Sequence, residues 1–394
     1  MTEEQYTPIE KLMVKLSFIT YLSLSEPIRI MKLLIQDRIK QTLARIQPSP
    51  QTLVWGPVIG QYKRDRNVAM MYIAKDNCTG EYTVVVRGTN PFSLVSGWFE
   101  DLVVWEKAFW KKLSPGTLAP DAMISEATFN SLGIHLKLRY QGLTFFEFLE
   151  TQMLKQNITV NFTGHSLGGL LAPTLALWFY ENLSPEYRDK IEKIGVFSIG
   201  APSAGDYHFT TYIDQLFKEN SLFQGRTFYY RNVYDVTANV WHTEDMKKIA
   251  GFFQDYGIPV TNAVKFILSG FLAIVESMEY LEASCEVKDV PPLSKDIMES
   301  FDITNIEEVH LRAEFGLAGR GLYAISERIG ITRTEDILKT FRWVLMAQLQ
   351  HVFPYLKILT HADPDYQFLK ETVMKSLIQK AFPGKRIRDL LEKI

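Results

Sequence analysis

A change in the spacing of apolar residues marks the segment 157–183. Ile158, Val160 and Phe162 alternate with polar residues, which is the period of a strand. Over residues 170–178 the apolar positions instead recur at helical spacing. The pattern predicts a strand that passes into a helix over only a few residues.

The rest of the chain divides in the same way. Residues 9–46 have apolar positions at helical spacing and predict two helices, with Pro27 between them. Residues 52–90 alternate and predict two or three strands. Elsewhere the same patterns predict strands at 193–200 and 226–232, and helices at 96–110, 122–139, 144–155 and 207–217. Strands alternating with helices predict a mainly parallel, covered sheet, and nearly everything after residue 244 is predicted to be helical.

Residues 164–168, Gly-His-Ser-Leu-Gly, lie at the central strand-to-helix change. The two glycines remove side-chain bulk on either side of Ser166 and tolerate positive φ. A strained turn of this kind lifts a serine hydroxyl clear of the sheet, with the N-terminus of the next helix behind it. The pattern alone is weak, because chance supplies it in roughly one chain of this length in ten. Its position between strand and helix favours a nucleophile over a glycine-rich connection without chemistry.

Composition narrows the function classes only slightly. With 394 residues, 46% of them hydrophobic, the chain fits one elaborated domain or a core with a cap. A formal net charge of −2 gives no indication of a nucleic-acid partner. Cys78 and Cys285 are far apart and predict neither a disulfide framework nor a metal site.

Three segments bear on membranes and location. The first residues are acidic, and the apolar stretch 16–24 lacks a small-residue cleavage site, so no signal peptide is expected. A cytoplasmic location is therefore favoured, with secretion by another route as the alternative. The apolar run 266–275 is too short to span a bilayer and predicts a core or cap helix. The basic, apolar segment 370–394 suits transient contact with a lipid surface, although a solvated amphipathic helix is the simpler interpretation.

A serine nucleophile needs a base to accept its proton and a carboxylate to orient that base. In folds with this turn the chain order is serine, acid, histidine. Asp235 follows the predicted strand 226–232 and is the favoured acid, whereas Asp206 is explained by a turn or helix cap. The candidate bases are the histidines that follow: His242, His310, His351 and His361. His165, beside the serine, is interpreted as structural and is also kept among the candidate substrate-binding residues.

Five segments in order resemble the class 3 lipases, the fungal-type triacylglycerol lipases, and particularly their bacterial members. They are VVVRGTN with Trp98 and Asp101 following, NFTGHSLGG, GAPSAGD, RNVYDVTANVW and QHVFPYL, in which Tyr355 follows the histidine by four residues. The resemblance covers about residues 54–356. It implies Ser166 as nucleophile, Asp235 as acid, His351 as base, and Thr89 and Leu167 as donors to the oxyanion.

Two departures from the family pattern stand out. The interval of 116 residues between Asp235 and His351 is longer than the family's, so a helical insertion must fit there. Thr237 and Ala238 replace the usual Val-Pro after the acid. His361, ten residues beyond His351, therefore stays an alternative base.

The residues themselves also suggest where the carbonyl oxygen and the acyl chain bind. The Leu167 amide follows the nucleophile and is positioned by the turn. Gly88 lets the chain turn so that Thr89 can offer its amide and hydroxyl as a second donor. The candidate substrate-binding residues that follow are Phe92, Leu94 and Val95. A buried amphipathic helix is the alternative for the segment that they begin.

These expectations combine into one architecture. The fold class is α/β, an α/β-hydrolase fold with a mainly parallel sheet flanked by helices, extra N-terminal helices and a helical insertion. The expected parts are an N-terminal helical segment, a hydrolase core, a helical insertion or cap, and a C-terminal part with the catalytic histidine: residues 1–50, 51–241, 242–345 and 346–394.

The expected function is hydrolysis of lipid carboxylic esters through an acyl-enzyme intermediate. It requires no cofactor and no metal, and the expected partner is a lipid-ester substrate. One alternative uses the same triad as a phospholipase, short-chain esterase or acyltransferase. The other is a non-catalytic protein that binds lipids or partners on a hydrolase fold, against which the intact triad candidates argue.

Overall fold

The computed structural model describes residues 5–22, 28–61, 68–88, 106–283, 285–296, 334–360 and 362–374. The helices within these residues are α1 Pro8–Ile19, α2 Ile28–Leu43, α3 Glu126–His135, α4 Phe145–Met153, α5 Leu167–Asn182, α6 Pro185–Arg188, α7 Tyr207–Glu219, α8 Val236–Asn239, α9 Thr243–Ile249, α10 Asn262–Val275, α11 Thr334–Leu356 and α12 Tyr366–Val373. The strands are β1 Gln51–Gln61, β2 Val68–Asp76, β3 Tyr82–Val86, β4 Lys107–Phe109, β5 Met123–Ser125, β6 Ile158–His165, β7 Ile191–Ile199, β8 Thr227–Arg231 and β9 Glu286–Asp289. Short 3₁₀ turns cover Trp110–Lys112 and Gln254–Tyr256.

Seven strands form one sheet in the order β1-β2-β3-β6-β7-β8-β9. β2 pairs antiparallel with both β1 and β3. From β3 onward every neighbouring pair is parallel, through β6, β7 and β8 to β9. The five adjacent parallel strands therefore have their carboxyl ends at the same edge, which is where open α/β sheets bind ligands. This arrangement confirms the predicted mainly parallel α/β-hydrolase sheet flanked by helices.

β3 shows how the sheet is covered on both faces. Val84 and Val86 belong to a buried core that includes residues of α3, α4, α5 and α7. Val85, between them, belongs to a second core with residues of α1, α2, α11 and α12. Because successive side chains of a strand point to opposite faces, two apolar layers enclose the sheet. All eight residues of β6, at its centre, are buried.

The prediction of a helix over 96–110 is wrong at its C-terminal end. Residues 107–109 form β4, which pairs antiparallel with β5, while residues 96–105 lie outside the described part of the chain. β5 also replaces the start of the helix predicted over 122–139. Ala108 and Ile124 are buried in the same core as Val84 and Val86. The two short strands hydrogen-bond to each other through their backbones while they cover apolar surface. The Ser125 hydroxyl then accepts from the Thr128 amide at 3.1 Å and begins α3.

The segment 242–345, predicted to be a helical insertion, also contributes a strand to the main sheet. β9 pairs parallel with β8 at the sheet edge. Its sequence, Glu-Val-Lys-Asp, is polar and mostly exposed, so no apolar alternation marks it. The connection between α9 and α10 packs against α11: the rings of Phe253 and Trp343 are 5.4 Å apart, and the hydroxyls of Thr340 and of Thr261, the residue that caps α10, are 2.7 Å apart.

The N-terminal helix α1 is packed into the molecule through two buried charged residues. The Glu10 carboxylate accepts from the Tyr230 hydroxyl at 2.8 Å and pairs with Lys288, so it joins α1 to β8 and β9. The Lys15 ammonium pairs with Asp363 and Asp365 at 2.8 Å each. Buried ions are stable only when they are paired and hydrogen-bonded, so these pairs define where α1 docks. Among the described helices, none is long and apolar enough to cross a membrane.

Candidate active site

Ser166 occupies a strained turn between β6 and α5. Its backbone has φ 63° and ψ −128°, a conformation that residues with a side chain rarely adopt. The Ser166 amide donates to the Ile199 carbonyl at 2.9 Å, and its carbonyl accepts from the Leu170 amide at 3.1 Å. The turn is thus held on one side by β7 and on the other by the first turn of α5.

Glycines make this turn sterically possible. A Cβ added to Gly164 would lie 2.4 Å from the Gly168 carbonyl carbon, and one on Gly168 would lie 2.2 Å from the Val86 carbonyl oxygen. Each contact is with backbone, which cannot swing aside as a side chain can. The same packing brings β3 against the serine, since a Cβ on Gly88 would lie 3.1 Å from Ser166 Cβ.

A Gly164→Ala substitution is therefore expected to lower the free energy of unfolding by about 3 kcal/mol, because the added methyl forces the turn apart. Gly133→Ala, in α3, is the matched control, because a Cβ there meets nothing within 4 Å. The control is expected to raise stability by about 0.5–1 kcal/mol through higher helix propensity. Urea unfolding measures both. Equal effects of the two substitutions would contradict this account of the turn.

Asp235 caps α8 just beyond the end of β8 and is fully buried. Its Oδ1 accepts from the Thr237 amide at 2.8 Å. The Tyr355 hydroxyl donates to Oδ2 at 2.7 Å, and His351 Nδ1 lies 2.9 Å from Oδ2 and 3.0 Å from Oδ1. Three donors therefore fix the carboxylate, which is the condition for keeping a buried charge.

His351, on α11, faces this carboxylate with one ring nitrogen only. A carboxylate only accepts hydrogen bonds, so Nδ1 carries the proton and the other nitrogen, Nε2, presents its lone pair. Nε2 is buried and has no hydrogen-bond partner among the described residues. An oriented imidazole with a free, unprotonated Nε2 can accept a proton from a neighbouring hydroxyl.

Tyr355 and Asn232 hold the histidine helix against the acid. The Tyr355 hydroxyl accepts from the Asn232 amide at 3.1 Å, and burial raises the pKa of Tyr355 well above its usual value, so it stays a neutral donor to Asp235. Pro354 has no N–H, which leaves the Gln350 carbonyl without its helical donor. Asn232 Nδ2 donates to that carbonyl at 2.8 Å. The proline thus frees a carbonyl through which β8 fastens α11.

His165 lies buried in the core, whereas its inclusion among the candidate substrate-binding residues predicts an accessible position. It is 1% exposed, and its ring is packed between Phe18 and His351 at centroid distances of 4.8 and 4.6 Å. Both ring nitrogens are hydrogen-bonded within the protein, to the Tyr21 hydroxyl and to the His351 carbonyl. The burial and the two occupied ring nitrogens agree with the interpretation of His165 as a structural residue. The sequence gives no signal for Tyr21, its partner just after α1.

The other candidates divide into four groups. Leu167 is the first residue of α5, where backbone amides have no helical acceptor and remain available. Asp206 caps α7, accepting from the Phe209 amide at 3.0 Å, so the turn and cap interpretation accounts for it. His242, a candidate base, is described and pairs with Asp245 at 2.8 Å. The remaining candidates lie outside the described residues: Thr89, Phe92, Leu94, Val95, His310 and His361.

One group of side chains has the composition of a metal site. Ligand atoms of His242, Asp245 and Glu282 lie within 4.8 Å of one another. Arg231 pairs with both acids, and Lys248 pairs with Asp245 at 2.8 Å. These cations already neutralise the carboxylates, so the group is explained as an ion-pair network around Arg231.

Comparisons with known proteins agree with this architecture. Residues 83–241 match the model of the family described as Lipase (class 3). The crystal structure of M37 lipase superposes with a TM-score of 0.70 at 22% identity, over 98% of this chain and 99% of that one. Lipase II from Rhizopus niveus gives a TM-score of 0.40 at 15% identity, over 61% of this chain and 78% of that one. No curated protein sequence matches the chain. Residues 83–241 are a class 3 lipase region, and the chain is a carboxylic ester hydrolase of the lipase and esterase type.

Proposed function

We propose that this protein cleaves carboxylic esters of lipids through an acyl-enzyme intermediate formed on Ser166. The observation that carries the proposal is the pairing of His351 with Asp235, 2.9 Å apart and buried, which leaves Nε2 without a partner among the described residues. A histidine oriented in this way serves a nucleophile. The strained Ser166, on the turn beside His165, supplies one.

The proposed mechanism has two half-reactions. Ser166 Oγ attacks the ester carbonyl while His351 Nε2 accepts its proton, and the alcohol leaves after taking that proton from the imidazolium. Water then attacks the acyl-enzyme, with His351 again as base, and the fatty acid is released. The Asp235 carboxylate stabilises the imidazolium in both steps, because it lies against the Nδ1–H that carries the positive charge.

Negative charge on the carbonyl oxygen needs fixed donors. The Leu167 amide is proposed as one donor, since it opens α5 directly after the nucleophile. Thr89 is proposed as the second. Its support is the position of Gly88, the residue before it, whose Cβ would lie 3.1 Å from Ser166 Cβ.

We also propose that the segment 242–345 covers part of the substrate entrance. The connection between its helices α9 and α10 contacts α11, which carries His351, through the rings of Phe253 and Trp343, and Trp241 contacts Phe271 of α10 at a centroid distance of 6.0 Å. Trp241 follows α8, the short helix that Asp235 caps. This packing favours a location near the acid and base over the far edge of the sheet. Cover that excludes water strengthens hydrogen bonds to the oxyanion and shelters an acyl chain.

A panel of p-nitrophenyl esters from acetate to palmitate tests the substrate class. We expect kcat/KM to rise from acetate toward longer acyl chains, because each buried CH₂ contributes about 0.8 kcal/mol of apolar burial. Emulsified triacylglycerol and phosphatidylcholine, assayed by fatty-acid release, separate a lipase from a phospholipase. Activity confined to acetate and butyrate would instead assign a short-chain esterase.

A further inference from the structure

We infer that Tyr21 and His165 are positioning residues that hold the nucleophile turn, the base and the end of β3 in one arrangement. The inference rests on the proposed function, because it concerns the alignment of Ser166 with His351. The two residues form a continuous hydrogen-bonded chain from the turn that follows α1 to the backbone of the catalytic histidine. Neither residue contacts substrate in this role.

The Tyr21 hydroxyl lies where two parts of the site meet. It is 2.8 Å from His165 Nδ1, on the residue just before the nucleophile. A Cβ on Gly88 would lie 2.4 Å from the same hydroxyl, so the hydroxyl also touches the end of β3. Gly88 immediately precedes Thr89, the proposed second donor to the oxyanion.

His165 connects the Tyr21 hydroxyl to the backbone of His351, the proposed base. Its Nε2 lies 2.8 Å from the His351 carbonyl oxygen, which can only accept, so Nε2 carries a proton. Burial holds the pKa of His165 well below its ordinary value, and the ring is therefore neutral. A neutral imidazole with a protonated Nε2 has an acceptor at Nδ1, which the Tyr21 hydroxyl fills as donor. The Tyr21 hydroxyl proton and the His165 Nε2 proton therefore each have one position in this series of hydrogen bonds.

The consequence for His351 is that it is held from two sides. Asn232 fastens α11 at the Gln350 carbonyl, and His165 fastens it at the next carbonyl, His351. Its side chain is held separately by Asp235. The rings of His165 and His351 also lie 4.6 Å apart with a tilt of 35°. A shift of His165 would therefore move the turn that carries Ser166 and the helix that carries the base in the same event.

A purely structural role for these buried polar groups predicts loss of stability without a specific loss of rate. Tyr72 provides the matched control. It is fully buried like Tyr21, and its hydroxyl donates at 2.8 Å to the Leu16 carbonyl of α1, the helix that Tyr21 follows. Tyr72→Phe therefore removes one buried hydroxyl bound to α1 at a point outside the chain to His351.

The experiment compares Tyr21→Phe with Tyr72→Phe in the full chain. Steady-state kinetics with p-nitrophenyl butyrate and the rate of phosphonylation by a fluorophosphonate report on alignment of the site. We expect Tyr21→Phe to lower kcat and the phosphonylation rate about tenfold or more, with KM within about twofold, since small misplacements of reacting groups have large effects. Tyr72→Phe is expected to match the wild type. Equal rates in the two variants would overturn the inference.

Substitution at His165 is the second test. His165→Leu removes both hydrogen bonds and is expected to lower kcat about 100-fold. His165→Gln keeps an N–H donor for the His351 carbonyl, so its kcat should be about tenfold higher than that of His165→Leu. Equal losses in the two His165 variants would count against positioning. If the wild type itself neither cleaves the ester nor reacts with the probe, the proposed function fails, and the inference fails with it. An active wild type with unaffected Tyr21→Phe and His165→Leu variants overturns the inference alone.

Discussion

Replacing Ser166 with alanine is expected to lower kcat for ester hydrolysis by about three to six orders of magnitude while leaving the protein folded. The hydroxyl is the proposed nucleophile, and no other group at the turn can form the acyl-enzyme. Alanine has the same Cβ as serine and enters the same backbone conformation, φ 63°, without a new steric conflict. The measurement is kcat with p-nitrophenyl butyrate, alongside the urea midpoint for folding.

Ser198→Ala is the matched control for this result. Ser198 is a buried serine on β7, and its hydroxyl donates to the Gly169 carbonyl at 2.8 Å. Its loss is expected to change stability by about 1 kcal/mol and kcat by less than about threefold. A fluorophosphonate should label the wild type at Ser166 and leave Ser166→Ala unlabelled. A label mapped to any other serine would refute the assignment.

Replacing His351 with alanine, or Asp235 with asparagine, is expected to lower kcat by about four orders of magnitude each. The alanine variant has no base. The asparagine variant keeps the shape of the acid but can turn an N–H toward His351 Nδ1. Nδ1 would then accept, the proton would move to Nε2, and the base would be lost although the geometry stays close to native. The decisive measurement is kcat for both variants under the conditions used for Ser166→Ala.

His361→Ala separates the two histidines that the sequence leaves open. It should retain kcat within about twofold, since the Asp235 carboxylate is already bonded to His351 at 2.9 and 3.0 Å. Full activity in His351→Ala, combined with loss in His361→Ala, would reverse the assignment of the base. Asp235→Asn retaining full activity would show instead that the acid lies elsewhere.

The sequence predicts those parts of the site that local patterns determine. The turn at Ser166 can be recognised in the sequence because it requires glycines at 164 and 168, which are in close contact with each other and with one adjacent strand. The class of the sheet is visible because buried parallel strands alternate with helices along the chain. The pairing of Asp235 with His351 could be expected from chain order and the family resemblance, although periodicity alone contains no information about it.

The hydrogen bonds that link Tyr21 through His165 to His351 could not be predicted in this way. Tyr21 is 144 residues from His165, and His165 is 186 residues from His351. No repeat or spacing in the sequence connects them, so an aromatic residue just after α1 resembles any other core residue. β9 was missed for a different reason: an exposed edge strand of four polar and apolar residues has too little periodicity to be recognised.

The pairing of Lys15 with Asp363 and Asp365 determines when the molecule can be completed during its synthesis. Lys15 and Asp365 are 350 residues apart. At ribosomal rates of about 5–20 residues per second, roughly 20–70 seconds separate their appearance. During that interval the ammonium has no counter-ions, and burying it alone is strongly unfavourable. The final packing of α1 around Lys15 is therefore expected only after Asp363 and Asp365 have been synthesised.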